Sequence, residues 1–174
     1  MSRGFVKDES WEEPVVAPRA PLPEGVPNYV TARGLQLLRD EQAELEARRQ
    51  GIEADTALDD EQRRRRQSVL ATRMRELVSR VATAEVVAPG IAAPDAVRFG
   101  ARVTLRTTAG ASVGEELKLR IVGVDEADPD QDRVAFTSPI ARAVLGKKLG
   151  ESARLCAAGG EETLRIEAIE YPLD

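Results

Sequence analysis

Histidine is absent from this chain, and cysteine occurs once, as Cys156. The first absence removes Ser–His and Cys–His nucleophile pairs and His-ligated metal sites. The second rules out an internal disulfide and fits a reducing cytoplasm. Any metal held here would be a hard cation on carboxylates, and no cofactor of the chain's own is expected. Aromatic residues make up 3%, and residues 95–174 hold only Phe99, Phe136 and Tyr171, too few to line a ligand pocket with rings. No run approaches eighteen apolar residues, so no transmembrane helix and no membrane partner are expected. The opening MSRGFVKDESWEEP carries acids and lacks the apolar segment of a secretory signal.

A broad excess of positive charge is missing too. Residues 1–28 hold three bases and five acids, residues 29–94 eleven of each, and residues 95–174 eleven bases and fourteen acids. Tight nonspecific DNA binding needs many cations placed against phosphates. A protein partner is therefore the better expectation. A nucleic-acid-binding module built on Arg63–Arg66 and a coiled-coil adaptor are the alternatives.

Three regions separate by composition. Residues 1–28 contain five of the ten prolines, which withhold backbone donors and favour extended chain, so this leader is expected to be flexible or loosely laid on the surface. Residues 29–87 read as two helices. Leu35, Leu38, Gln42, Leu45, Arg49 and Ile52 fall at alternating spacings of three and four, as do Leu70, Met74, Leu77, Val81 and Ala84. Gln42 and Arg49 dilute the first seam, so neither helix would stand alone. Gly51–Leu58 is a plausible reversal, and Asp59 is a good N-cap, with Gln62 completing a capping box. The expected product is an antiparallel coiled-coil hairpin projecting roughly 35–40 Å.

Residues 95–174 read as a small sheet domain. Val97, Phe99, Ala101, Val103 and Leu105 alternate with polar or small residues, predicting a half-buried strand. Leu117, Leu119 and Ile121 mark a second strand, Val134 and Phe136 a third. Ala153, Leu155 and Ala157 mark a fourth, joined across Gly159-Gly160 to a fifth at Leu164, Ile166 and Ala168. Asp125–Asp130 is a turn-rich acidic loop. One short helix is fully punctuated, with Ser138 as N-cap, Pro139 as first residue and Gly146 as stop. The fold class is α+β, five strands and one short helix behind a helical hairpin.

Val122–Pro129, reading VGVDEADP, followed by Phe136–Glu151, reading FTSPIARAVLGKKLGE, resembles the C-terminal signature of the GreA/GreB family of bacterial transcript-cleavage factors. The order of parts is similar as well. Tyr29–Gly34 (YVTARG) resembles the family's start of the helical finger, and Ala84–Val87 (AEVV) its exit. The opening Met1–Lys7 looks most like the GreB branch. The resemblance implies an FKBP-like C-terminal domain that is not a prolyl isomerase and clasps the rim of the secondary channel of bacterial RNA polymerase. The residues carried over to that contact are Ser138 and Pro139, with Ile140, Ala141 and Arg142 adjoining. It also implies a factor, expected to be monomeric, that is not itself an enzyme, meets nascent RNA indirectly, and either stimulates cleavage of backtracked transcripts or, like non-cleaving relatives, modulates or inhibits the polymerase.

The finger departs from the family pattern. Cleaving members end it in a tip resembling GDxSENAxY, whose acids secure a second Mg2+ in the polymerase active site for two-metal hydrolysis. No such motif occurs here. From Tyr29 to Val87 the chain has 59 residues against roughly 70 in the family, which shortens each arm by about 9 Å. The tip nevertheless carries Glu53, Asp55, Asp59, Asp60 and Glu61 and no base, followed at once by Arg63-Arg64-Arg65-Arg66. Asp55, Asp59, Asp60 and Glu61 are the candidate contacts to the shared Mg2+. Acids also cap helix N-termini, and an arginine run is usually a solvated face.

Overall fold

The computed structural model describes residues 19–88, 95–157 and 160–172. Two long helices form the hairpin: α1 (Ala32–Ala54) and α2 (Asp60–Ala82). Thr31 caps α1 by accepting from the Gly34 amide, and Asp59 caps α2 by accepting from the Gln62 amide. Leu38, Leu45, Leu70 and Leu77 are buried along the shared seam, with Leu35, Ile52, Met74, Val81 and Ala84 packed beside them. Burial of this stripe, more than helix propensity, holds the arms together.

Two expectations for the hairpin need correction. The reversal does not begin at Gly51, because α1 continues to Ala54 and the chain turns over residues 55–59. Arg49 is not in the seam. It lies exposed, paired with Glu46 and Glu53 one turn either side.

At the root, β1 (Asn28–Val30) pairs in parallel with β2 (Ala84–Val86). The helices run antiparallel, so the chain must double back beside its helix to make that pairing. Asn28 Nδ2 fixes the geometry by donating to Arg80 O at 2.8 Å and Thr83 Oγ1 at 3.2 Å. Val30 reaches up to close the lower end of the hairpin core.

The remainder is a five-stranded sheet in the order β5-β4-β3-β7-β6. Its strands are β3 (Arg102–Ala109), β4 (Glu116–Val122), β5 (Arg133–Ala135), β6 (Ser152–Ala157) and β7 (Gly160–Glu170). Neighbours are antiparallel except β4 and β5, which run parallel across a crossover of two 3-10 turns. The short helix α3 (Pro139–Val144) lies against β6 and buries Ala141 and Val144 in the same core as Val97, Val103, Leu105 and Ile121.

The first strand starts at Arg102, later than the alternation from Val97 predicts. Gly100 takes φ +85°, and Ala101 N donates to Arg98 O at 3.1 Å, so a turn interrupts the run. Val97 is buried anyway, because its backbone bonds to Gly146 and Lys147 at the end of α3. Leu117 keeps the phase of β4 but sits beyond the core and is exposed. Gly159, part of the expected β6–β7 junction, lies outside the described residues. Among the described residues no helix is long and apolar enough to cross a membrane.

Candidate functional site

The expected contacts fall at the α3 face and the finger tip, and a further polar cluster lies at the root where finger meets sheet. On α3, Ser138 Oγ accepts from the Ala141 amide at 3.3 Å, and Pro139 occupies the first helical position. Pro139 and Arg142 are exposed, while Ser138 and Ile140 are half-buried. Ala141, placed in the contact set by the resemblance, is fully buried in the sheet core. Its methyl faces inward because it lies on the side of α3 that packs on the strands. It therefore supports the face rather than forming it.

At the tip the acids divide into two kinds. Asp55 Oδ1 accepts from Ala57 N at 2.9 Å, and Asp59 Oδ1 accepts from Gln62 N at 2.8 Å. Both carboxylates already hold the turn. Asp60 and Glu61 are exposed in the first turn of α2. The arginines divide as well. Arg63 donates to the carbonyls of Ile52, Glu53, Asp55 and Leu58 at 2.8–3.3 Å. It thus takes up the orphan acceptors at the end of α1 and ties the loop to α2. Arg63 is a fastener and not part of a solvated patch. Arg64 donates to Asp60 O at 3.0 Å, Arg65 is exposed, and Arg66 is half-buried. Among the described residues no three acids, histidines or cysteines are grouped to hold a metal.

The root contains residues that the sequence reading did not single out. Tyr29, Phe99 and Phe136 form a ring cluster with centroids 5.7–6.0 Å apart, joining the finger's first strand to the sheet domain. The acidic turn is not a surface loop at its start. Glu126 is buried and accepts from Thr31 Oγ1 at 2.5 Å, so one hydroxyl both caps α1 and bonds the sheet domain. Gly34 is required beneath it, since a Cβ there would stand 2.8 Å from Glu126 Oε2. Gly123 meets a similar limit, with its would-be Cβ 2.8 Å from Tyr29 O.

Next to Glu126, Asp125 pairs with Arg19 at 2.5 Å and with Arg80 of α2 at 3.3 Å. Arg19 also reaches Glu41 of α1 at 2.5 Å. Burial opposes the Arg19 charge, but the two carboxylates outweigh it and raise its pKa above the usual guanidinium value. Arg19 and Asp125 are 106 positions apart in sequence and Arg19 and Glu41 are 22 apart, so no local pattern announces the cluster. Glycines at 34 and 123 beside helix-start and strand-end signals were the available hint.

Comparison with known proteins identifies the family. Residues 92–171 match the family described as "Transcription elongation factor, GreA/GreB, C-term". A transcription elongation factor GreA from Ralstonia nicotianae is 35% identical over 156 residues, covering 82% of this chain and 96% of its own. One from Halorhodospira halophila is 36% identical over 157 residues, with the same coverage. The chain belongs to the GreA/GreB family of transcription elongation factors. A GreA/GreB structure from Nitrosomonas europaea aligns over 84% of this chain and 99% of its own, at 21% identity and TM-score 0.41. The GreB-like opening, Met1–Lys7, lies outside the described residues, and both relatives named above are called GreA.

Proposed function

We propose that this protein binds bacterial RNA polymerase through its sheet domain and extends the α1–α2 finger into the secondary channel, stimulating cleavage of backtracked transcripts. The supporting observation is the tip. Arg63 and two capping aspartates make it rigid, and Asp60 and Glu61 stand exposed at its end. Each arm has 23 residues, a reach of about 35 Å at 1.5 Å per residue. At the other end, Pro139 and Arg142 project from α3 as a docking face for the channel rim.

Asp60 and Glu61 suit a hard cation, being uncommitted carboxylates on a helix that cannot readily fray. A Mg2+ ion shared with the polymerase would supply Lewis-acid activation of the attacking water. The chain's own contribution is to hold two negative charges in place, and it needs no cofactor or second copy to do so.

A second reading is channel occupancy without cleavage. Asp55 and Asp59 are already bonded to backbone amides, which leaves fewer acids for an ion. One experiment separates the two: transcript cleavage by backtracked polymerase with wild type and with Asp60→Asn/Glu61→Gln. The proposal expects wild-type stimulation, lost about a hundredfold in the variant with polymerase affinity unchanged. No stimulation by a wild type that binds and competes for the channel would establish occupancy instead.

A further inference from the structure

The finger's usefulness depends on the angle at which it leaves the sheet domain. A rotation of about 10° at the root would carry a tip some 35 Å away through about 6 Å. Positioning for catalysis is lost over far smaller distances. Something must hold that angle, and parallel pairing of two three-residue strands is a narrow support.

We propose that Arg19, with Asp125 as its anchor, is a positioning residue that clamps the finger at a fixed angle to the sheet domain. The inference rests on the channel-inserted reading above only for its functional consequence. Its structural content is independent. Arg19 Nη1 binds Asp125 in the 3-10 turn Val124–Glu126, and Arg19 Nη2 binds Glu41 in the third turn of α1. Arg80, near the base of α2, pairs with Asp125 and donates to Ala20 O at 2.5 Å. Both helices, the sheet domain and the segment before β1 therefore meet at one cluster.

The charges in this cluster balance, with two arginines against two carboxylates. Asp125 and Arg80 side chains are 6% and 9% exposed, and Arg19 is 18% exposed. Removing Arg19 leaves Asp125 with Arg80 alone and releases Glu41, whose side chain is 45% exposed, so what is lost is chiefly the link between α1 and the sheet domain. Arg suits the task because its planar fork spans two carboxylates, which a lysine ammonium cannot do with the same geometry.

The segment carrying Arg19 behaves as a strap. Pro21, Pro23 and Pro27 restrict its backbone, which turns once at Pro23–Val26, and lower the entropy it loses on docking. It lies over α2 without filling the space beneath, leaving a cleft of about 460 Å³ lined by Arg19, Leu22, Ser79 and Arg80. Arg19 and the Ala20 carbonyl supply its polar hold. Glu126 and Thr31 fix the start of α1, but that contact lies near the pivot. Glu41 stands nine residues further along α1 and gives the clamp leverage.

The test uses the full chain labelled with nitroxides at native Cys156, which is exposed, and at Ala57→Cys on the tip loop. Pulsed electron spin resonance would then read the tip-to-sheet distance distribution. The wild type should give a single narrow distribution, and Arg19→Ala should broaden it about twofold or displace its mean by several ångströms. Arg19→Lys should recover part of the width. Superimposable wild-type and Arg19→Ala distributions would overturn the clamp. Should Arg19→Ala lose helical circular dichroism, Glu41→Gln, which cuts one arm of the fork, supplies the same comparison.

On polymerase, Arg19→Ala should keep wild-type affinity and lose about tenfold of the tip-dependent effect. A broadened distance with full activity would refute the positioning role. Wild type inactive on polymerase would defeat the function proposed above, while the distance distributions would still decide the clamp.

Discussion

Gly123→Ala isolates the fit between finger and sheet domain. Gly123 has φ −63°, which any residue adopts, so backbone strain does not explain the glycine. Space does. A Cβ would lie 2.8 Å from Tyr29 O and 3.5 Å from Val30 Cα. Both are backbone atoms of β1, and a flexible side chain cannot yield in their place. The finger root would have to move by about half an ångström or more to restore ordinary contact. Overpacking of this kind costs about 1–3 kcal/mol. Replacing glycine restricts the unfolded chain and returns about 0.4–1 kcal/mol. The net expectation is a loss of about 1–2 kcal/mol, or a melting temperature lower by about 2–8 °C for a chain of this size. Differential scanning calorimetry on the full chain measures it. Movement at the root should also disturb the Tyr29–Phe99–Phe136 cluster, giving a changed near-ultraviolet circular dichroism spectrum. An unchanged or raised melting temperature would refute the steric reasoning, because the entropy contribution alone would raise it.

Gly51→Ala should do the opposite: it is helical, exposed and free of neighbours within 4 Å, so calorimetry should show a gain of about 0.5–1 kcal/mol. Arg63→Ala should lower finger stability by about 1–2 kcal/mol through the loss of charge-assisted bonds to carbonyls, whereas Arg65→Ala should leave thermal melting unchanged. Equal effects at the two positions would return Arg63 to a solvated basic face. Pro139→Ala with Arg142→Ala should weaken polymerase binding about tenfold or more in a titration, with a melting temperature within about 2 °C of wild type. Unchanged affinity would move the docking face away from α3.

The seam and the caps were legible because each depends on residues three or four apart. Leu38, Leu45, Leu70 and Leu77 are buried where spacing put them, and Asp59 and Ser138 accept the amides that capping rules assign. Spacing does not register an exposed polar residue on the same stripe, which is why Arg49 was misplaced. The late start of β3 followed from a turn at Gly100 that alternation cannot see. A motif as a string does not show which of its residues a helix turns inward, and helical geometry buries Ala141 in its middle. The clamp was hidden for a more general reason. Asp125, Arg19 and Arg80 are ordinary surface types, and they are buried only because each neutralises another across a long sequence separation. Pairing of that sort is a property of the assembled fold.

The parallel β1–β2 tie has a consequence for how such proteins can vary. It binds residues 28–30 to residues 84–86, so the finger is a closed loop anchored at both ends at one point. Residues added or removed in equal number from the two arms near the tip change its height while leaving the anchorage untouched. Seven residues per arm would add about 10 Å without shifting the seam's phase. The hairpin is in effect a ruler whose length is set independently of the foot it stands on. A short finger can therefore evolve, or be engineered, on an unaltered docking domain.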